Sequence, residues 1–354
     1  MSEKKKIAVL FPNFNIGGAQ HMVYELVRSI NRGLFEVHVI CYNGHADTVE
    51  LEERIEQCVD NVTYLESKGG IARRREVFRV LKTFRPDLVH AHLGGYQMGL
   101  PWCILSHTPL LLTMHTTLPL AINRRLVPLT PLLCSRFNVH LVAVSSDNKD
   151  QANEFFNNKI SNIDYINNGI TLSDYGRPVQ SDYPVYINVG TQNNNKNQSI
   201  IIKAFSEVRK NIPEARLILV GDGPNHQSLI VLAREFPGIE LPGSSREVST
   251  WLSRANVYVQ SSFREAMPMA ILEAMATGLP VISTDVGGIR TMIDESSGMF
   301  VTPGSCDELV SSMVKLADPR LRREMGDKAK EKALAFSADA MAASYEGLYA
   351  KYAR

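Results

Sequence analysis

The sequence lacks several things that would assign a protein quickly. Its charge is nearly balanced, with 38 basic and 37 acidic residues and a formal net charge of +1. No global field therefore draws it to nucleic acid, and an anionic partner must be met by a local patch. There are only five cysteines, Cys41, Cys58, Cys103, Cys134 and Cys306, and none forms a C-x-x-C pair. An odd number in mostly apolar surroundings reads as reduced thiols in a cytosolic protein, not as disulfides or a metal site. No stretch reaches the ~18 to 20 apolar residues of a membrane span. The most apolar region, Pro101 to Leu133, is broken by His107, His115, Asn123, Arg124 and Arg125. The opening MSEKKK lacks the apolar core of a signal peptide. The segment Pro12 to Gln20, after the first strand-like run, does not supply G-x-G-x-x-G, which excludes a dinucleotide-dependent oxidoreductase.

What is present is regular alternation. Ile7–Phe11 is a short apolar run, followed by a Gly-Gly turn and an amphipathic stretch from Ala19 to Asn31. Val37–Cys41, Leu88–Ala91, Leu110–Thr113 and Val139–Val144 continue the strand series, with helical periodicity between them, as in Glu76 to Phe84. Such alternation predicts a parallel sheet with helices on both faces. The pattern stops at SDYGRPVQSDYP, residues 173–184, which reads as a linker. It restarts with Val185–Val189, Gln198 to Lys210, Arg216–Val220, a helix near Leu229–Phe236, Val257–Gln260, Ala270 to Thr277 and Val281–Ser283. The length of 354 residues suits two such domains. The expected division is 1–172, a linker 173–184, 185–336, and a last helix within 337–354. Ligands of such sheets sit at the carboxyl ends of the strands.

The most informative block is SSFREAMPMAILEAMATGLPVISTDVGGIRTMI, Ser261 to Ile293. Glu265 and Glu273 are separated by seven residues, and Gly287 and Gly288 form a second Gly-Gly. Pro268 suits the first turn of a helix. A helix starting there leaves backbone N–H groups near Met269 and Ala270 unpaired, a site for a diphosphate aided by the helix dipole. Glu273, about 5.4 Å further along the helix, is placed to accept hydrogen bonds from two ribose hydroxyls. Glu265 lies before the helix, where a donor sugar would be. The plain alternative is an amphipathic helix carrying two solvated acids.

This spacing and context resemble the E-x7-E block of retaining GT-B glycosyltransferases of family 4. The resemblance runs along most of the chain. NIGGAQHMVYEL, with Gly17 and Gly18, looks like the family's Gly-Gly loop opening the first helix. PDLVHAH, LTMHTT, VAVSSDNKD, INNGI and VGDGP resemble further landmarks, and NVGTQNNNKN places Lys196 on the family's lysine. The resemblance implies two Rossmann-like α/β domains facing each other across a cleft, the nucleotide held mainly by the second, and a final helix returning to the first. It implies transfer of a hexose or N-acetylhexosamine from a nucleotide-diphosphate sugar, most often UDP-linked, with retention and without a catalytic metal or cofactor. Glu265, His115 and Lys196 would act at the sugar and the leaving diphosphate. Glu273, Gly17, Gly18, Gly190, Thr191, Pro268, Met269 and Ala270 would hold the donor, with Leu241 and Pro242 near the base. His90 and His92 read as structural. Domain closure about the linker would expel water.

Three departures bear on activity. Thr191 stands where the family usually has arginine, removing a bidentate phosphate donor. The all-amide loop Gln192 to Asn195 is expected to donate neutral hydrogen bonds instead. Ile289-Arg290-Thr291 replaces the usual Pro-Glu pair, so Arg290 is a candidate for the missing charge. Ala266 stands where glycine is usual. The basic residues Arg73–Arg75, Arg79, Lys82 and Arg85, with Asn123-Arg124-Arg125, are expected on N-terminal-domain helices. They suit either solvent or the anionic inner face of a membrane, where a lipid-linked acceptor would lie. A saccharide acceptor in cell-surface polysaccharide synthesis is the companion expectation. A catalytically weak partner subunit that keeps the fold is the alternative function. A sugar-nucleotide epimerase is disfavoured by the E-x7-E block, and a phosphorylase by the short chain.

Overall fold

The structure is a computed structural model describing residues 3–354, except 16, 48, 49, 68, 117, 119 and 162. Ile16 of the first Gly-Gly loop and Thr117 after His115 thus lie outside the described residues. The chain divides into two compact units, Met1–Gly169 with Ala338–Arg354, and Ile170–Ser337.

The first unit begins with β1 (Lys5–Phe11), α1 (Gly18–Ser29), β2 (Phe35–Cys41), α2 (Glu50–Glu56) and β3 (Asn61–Tyr64). It continues with α3 (Gly70–Phe84), β4 (Leu88–His92), α4 (Gly95–Ser106) and β5 (Leu110–Met114). Then come α5 (Thr130–Arg136), β6 (Val139–Ala143), α6 (Ser146–Phe155) and β7 (Ile163–Tyr165). All pairings are parallel, in the order β3-β2-β1-β4-β5-β6-β7. Central strands such as β4 and β5 are buried on both faces. That is why they read as unbroken apolar runs rather than alternating ones. Helix α1 buries Met22, Val23, Leu26 and Val27 along one stripe.

The second unit contains β8 (Val185–Val189), α7 (Gln198–Asn211), β9 (Arg216–Val220), α8 (His226–Ala233) and β10 (Ile239–Gly243). These are followed by α9 (Val248–Ser253), β11 (Val257–Gln260), α10 (Met269–Thr277), β12 (Val281–Thr284) and α11 (Ile289–Met292). β13 (Gly298–Val301), α12 (Cys306–Lys315) and α13 (Pro319–Ala333) complete it. Its sheet order is β10-β9-β8-β11-β12-β13, again parallel. The order reverses between β1 and β4 in the first sheet and between β8 and β11 in the second. Loops leaving those strands frame a crevice where such sheets take ligands.

Residues 173–184 are not a free tether. Arg322, buried on α13, donates to the carbonyls of Ser181 at 2.8 Å, Leu316 at 2.9 Å and Ala317 at 2.7 Å. The guanidinium thereby fastens this segment to the second unit. Helix α14 (Ala338–Tyr352) packs in the first unit. Tyr349 lies against Phe35, Tyr352 stacks on His140, and Tyr352 Oη donates to Asp164 at 3.1 Å. All five cysteines are free.

Candidate donor site

In the second unit the loops after β8 and β11 flank the point where the strand order reverses, and they are tied together. The Phe263 N–H donates to Asn195 O at 2.8 Å, and Asn195 Nδ2 donates to Arg264 O at 2.9 Å. Ser261 Oγ donates to the carbonyls of Lys196 and Asn197. These bonds bring Lys196 and Glu265, 69 residues apart, into an ion pair of 2.6 Å. Their side chains are only 20% and 11% exposed, so this is a sheltered pair rather than a surface one.

Two glycines make the arrangement possible. Gly190 has φ of +153°, a conformation that favours glycine, and Lys196 passes beside it, since a Cβ there would make ordinary contact with Lys196 Cε at 3.7 Å. Gly287 has φ of +56°, and a Cβ there would come within 1.8 Å of Glu265 O. The second Gly-Gly therefore backs the Glu265 loop, and Gly288 N donates to Ala266 O at 2.9 Å.

Helix α10 begins at Met269, with Pro268 as its cap in an extended conformation (φ −72°, ψ 121°). This shifts Pro268 one position outside the helix from its expected place in the first turn. Proline offers no side-chain acceptor, and the cap makes no side-chain hydrogen bond, so the first-turn N–H groups of Met269 and Ala270 have no cap. The first turn carries no acidic residue either, which leaves the positive end of the dipole unanswered. Glu273 follows one turn on and is almost fully buried. On β11, Tyr258 is fully buried, and its phenol donates to Val189 O and Gln260 Oε1, each at 3.3 Å. Burial, then the charges of Glu273 and Glu265, hold that phenol well above its usual range. Tyr258 thus feels the charge of both carboxylates.

Of the two expectations for replacing the family arginine, the one placed on Arg290 is corrected. The amides of the loop after β8 also brace the loop, Gln192 and Asn195 through their N–H₂ groups but Asn193 and Asn194 through their oxygens alone, which leaves those two N–H₂ groups able to donate. Gln192 is buried, with Oε1 2.7 Å from His226 Nδ1 and Nε2 3.5 Å from Leu219 O. Asn193 Oδ1 accepts from Lys196 N, and Asn194 Oδ1 accepts from Asn225 Nδ2. Arg290 is committed. It binds Asp285 through Nε and Nη2 at 2.8 to 2.9 Å, reaches Glu295 at 3.3 Å, and lies 4.0 Å over the Phe300 ring. Thr191 itself is exposed. Leu241 and Pro242 lie in β10 at the sheet edge, where a register shift between Glu240 and Gly243 accommodates the missing proline N–H.

In the first unit, Gly17 caps α1 without a side chain and Gly18 is its first residue, and a Cβ on Gly17 would come 2.5 Å from Gln20 Oε1, so the Gln20 carboxamide lies against this helix start. His115 directly follows β5 and is partly exposed. Its Nε2 lies 2.9 Å from Nδ1 of the buried His92, at the end of β4. His90 is held by Tyr349 Oη at 2.7 Å and Thr113 Oγ1 at 2.8 Å. Burial pushes His115 down to about 4 and His90 to about 3, and holds His92 well below its usual value. All three are therefore neutral at pH 7. Among the described residues no group of three His, Cys, Asp or Glu side chains is arranged to hold a metal.

Comparison with known proteins identifies the family of the chain. Residues 183–318 match the glycosyl transferases group 1 family, and residues 16–174 match glycosyltransferase family 4. A glycosyltransferase of Methanocaldococcus jannaschii, itself uncharacterised, is 26% identical, over 91% of both chains. A sulfoquinovosyl transferase of Arabidopsis thaliana is 26% identical over 73% of this chain, which spans 55% of that relative's length. Among solved structures, Anabaena HepE in complex with UDP-glucose superposes with a TM-score of 0.79 at 18% identity, over 98% of this chain and 99% of that one. TarM superposes with a TM-score of 0.81 at 10% identity, over 98% of each chain. These neighbours share the GT-B fold, two Rossmann-like α/β domains. The chain belongs to the family 4, group 1 glycosyltransferases.

Proposed function

We propose that this glycosyltransferase moves a hexose or N-acetylhexosamine from a UDP-sugar to a saccharide or lipid-linked acceptor, with retention of anomeric configuration. The observation that carries the donor assignment is the sheltered Lys196–Glu265 pair beside the uncapped start of α10 and the buried Glu273. The diphosphate would lie on the Met269 and Ala270 N–H groups. Lys196 would exchange its carboxylate partner for a phosphate oxygen and stabilise the charge that grows as the sugar–phosphate bond breaks. Glu265, released, would accept from sugar hydroxyls, and Glu273 from the ribose. Gly190 and Thr191 would pass close to the phosphates, Leu241 and Pro242 near the base. In the first unit, Gly17 and Gly18 would let backbone approach the donor phosphates, and His115 would bond the sugar. The acceptor hydroxyl would attack C1 from the face the diphosphate leaves, passing its proton to a departing phosphate oxygen. No metal is needed in this scheme, so chelator should leave transfer unchanged.

The test is calorimetric titration of UDP, GDP and ADP without metal, followed by NMR assignment of the product anomer. Micromolar binding of UDP alone and an unchanged anomeric configuration support the reading. The second reading, a partner subunit with little activity, is favoured by Thr191 together with the commitment of Arg290 to Asp285 and Glu295. Absence of all nucleotide binding would select it. A lipid-linked acceptor suits the exposed Arg74, Arg75, Arg79 and Lys82 of α3, which would adsorb to an anionic inner membrane face. No helix among the described residues is long and apolar enough to cross a membrane. Sedimentation with phosphatidylglycerol vesicles but not phosphatidylcholine vesicles checks the adsorption, and equal sedimentation with both would remove the charge argument.

A further inference from the structure

His92 and His90 are two residues apart on β4, both fully buried, with ring centroids 4.1 Å apart. Their hydrogen bonding differs. Both nitrogens of His90 meet hydroxyl groups, which turn to suit either tautomer. His92 has one partner, His115 Nε2, and its own Nε2 is buried with none. The Phe11 ring packs edge-to-face with His92, the centroids 6.0 Å apart.

Two neutral imidazoles that share a hydrogen bond place one proton between the facing nitrogens, so only two arrangements exist. If His115 donates from Nε2, His92 must carry its proton on its own Nε2, and a buried N–H is orphaned. If His92 donates from Nδ1, the orphan at its Nε2 is a bare lone pair. Orphaned buried N–H groups are the rarer defect, because a buried acceptor is more readily left under-satisfied. The second arrangement is therefore the stable one. It obliges His115 to carry its proton on Nδ1, the nitrogen that has no hydrogen-bond partner among the described residues.

We propose that His92 is a positioning residue that fixes His115 in the Nδ1–H form. His115 then meets its ligand as a hydrogen-bond donor to a sugar hydroxyl oxygen and is unable to act as a base there. The use of this donor rests on the donor reading given above, whereas the tautomer does not. The buried, half-satisfied His92 is otherwise an unexplained defect in the first unit's core. Here it aims an N–H at the carboxyl edge of the sheet.

The test is long-range ¹H–¹⁵N correlation on the full chain with labelled histidine at pH 7. It expects His115 Nδ1 in the protonated, pyrrole-like range and Nε2 in the bare, pyridine-like range. The reverse assignment overturns the proposal. Two variants separate positioning from packing. His92→Asn sets an amide N–H₂ where Nδ1 was and still donates to His115 Nε2, whereas His92→Phe fills the ring volume and cannot donate. The Asn variant should keep the His115 tautomer and the preference for UDP-glucose over UDP. The Phe variant should give a tautomer mixture and erode that preference about fivefold, the worth of one hydrogen bond, with UDP affinity unchanged. An intact preference and a pure tautomer in the Phe variant would overturn the positioning role. If wild-type protein shows the expected tautomer but binds neither nucleotide, the donor reading fails and the tautomer assignment stands.

Discussion

Removing the charge of Glu265 should tighten the binding of UDP, although Glu265 belongs to the donor site. In the free protein its carboxylate occupies Lys196 at 2.6 Å. At an effective dielectric of about 20, that attraction amounts to about 6 kcal/mol before desolvation. Most of it is offset by taking both groups out of water, and about 1 kcal/mol remains to be lost when a phosphate displaces the carboxylate. UDP carries no sugar for Glu265 to hold, so it meets only the competition. In Glu265→Gln the ammonium is free and one nearby negative charge is gone. The affinity for UDP measured by calorimetry should rise about three- to thirtyfold, at tenfold per 1.4 kcal/mol. Lys196→Met should lower it about tenfold or more, the worth of a hydrogen bond to a charged group. The double variant should bind like Lys196→Met, because relieving the competition has no value once the lysine is absent. Sugar transfer should fall in all three. A Glu265→Gln protein that binds UDP tenfold more weakly than wild type would refute this reasoning and show that Glu265 supports the nucleotide directly.

Three other outcomes follow from the same geometry. Thr191→Arg should raise UDP affinity about tenfold in calorimetry, since the exposed position restores a charged, forked donor that Arg290, held by Asp285, does not replace; no gain would place the phosphates elsewhere. Gly287→Ala should abolish transfer in a donor-turnover assay, because its Cβ would meet Glu265 O at 1.8 Å and the φ of +56° disfavours a side chain; normal turnover would mean the Glu265 loop is not held by this turn. Stability should also depend on pH through the first unit. His115 and His90 are pushed from the ordinary 6.5 to about 4 and about 3, so as pH falls the unfolded chain takes up protons first. Their contribution is complete above about pH 6.5 and is lost from there down to about 4 for His115 and about 3 for His90, at about 1 kcal/mol for each histidine from pH 6 to pH 5. The urea midpoint should fall accordingly, and a flat midpoint over that range would contradict the burial of neutral histidines.

The two alternating halves were legible because buried parallel strands leave short apolar runs, as in Val185–Val189 and Val257–Gln260. Strands at the sheet margins were not. Asn61–Tyr64 is largely unburied, Ile163–Tyr165 has three residues, and Ile239–Gly243 alternates half-buried and exposed residues and contains Pro242. The Gly298–Val301 strand opens on a glycine, which reads as a turn. Within the site, spacing along one helix was readable, so Glu273, Met269 and Ala270 could be placed relative to each other. Pairings across loops were not. The Lys196–Glu265 pair and the His92–His115 bond join residues of different strands and the loops that follow them, and only the fold brings them together. Arg290 was misjudged for the same reason, because sequence shows a donor but not the acceptor, here Asp285, that already holds it.

The central claim is that the second unit holds a UDP-sugar through Lys196 and Glu273. The most direct measurement is titration of UDP into the metal-free protein beside its Lys196→Ala and Glu273→Ala variants, with circular dichroism to verify folding. The account predicts micromolar binding by the wild type and at least tenfold weaker binding by each folded variant. Undiminished binding by both variants would contradict it and move the nucleotide away from the start of α10.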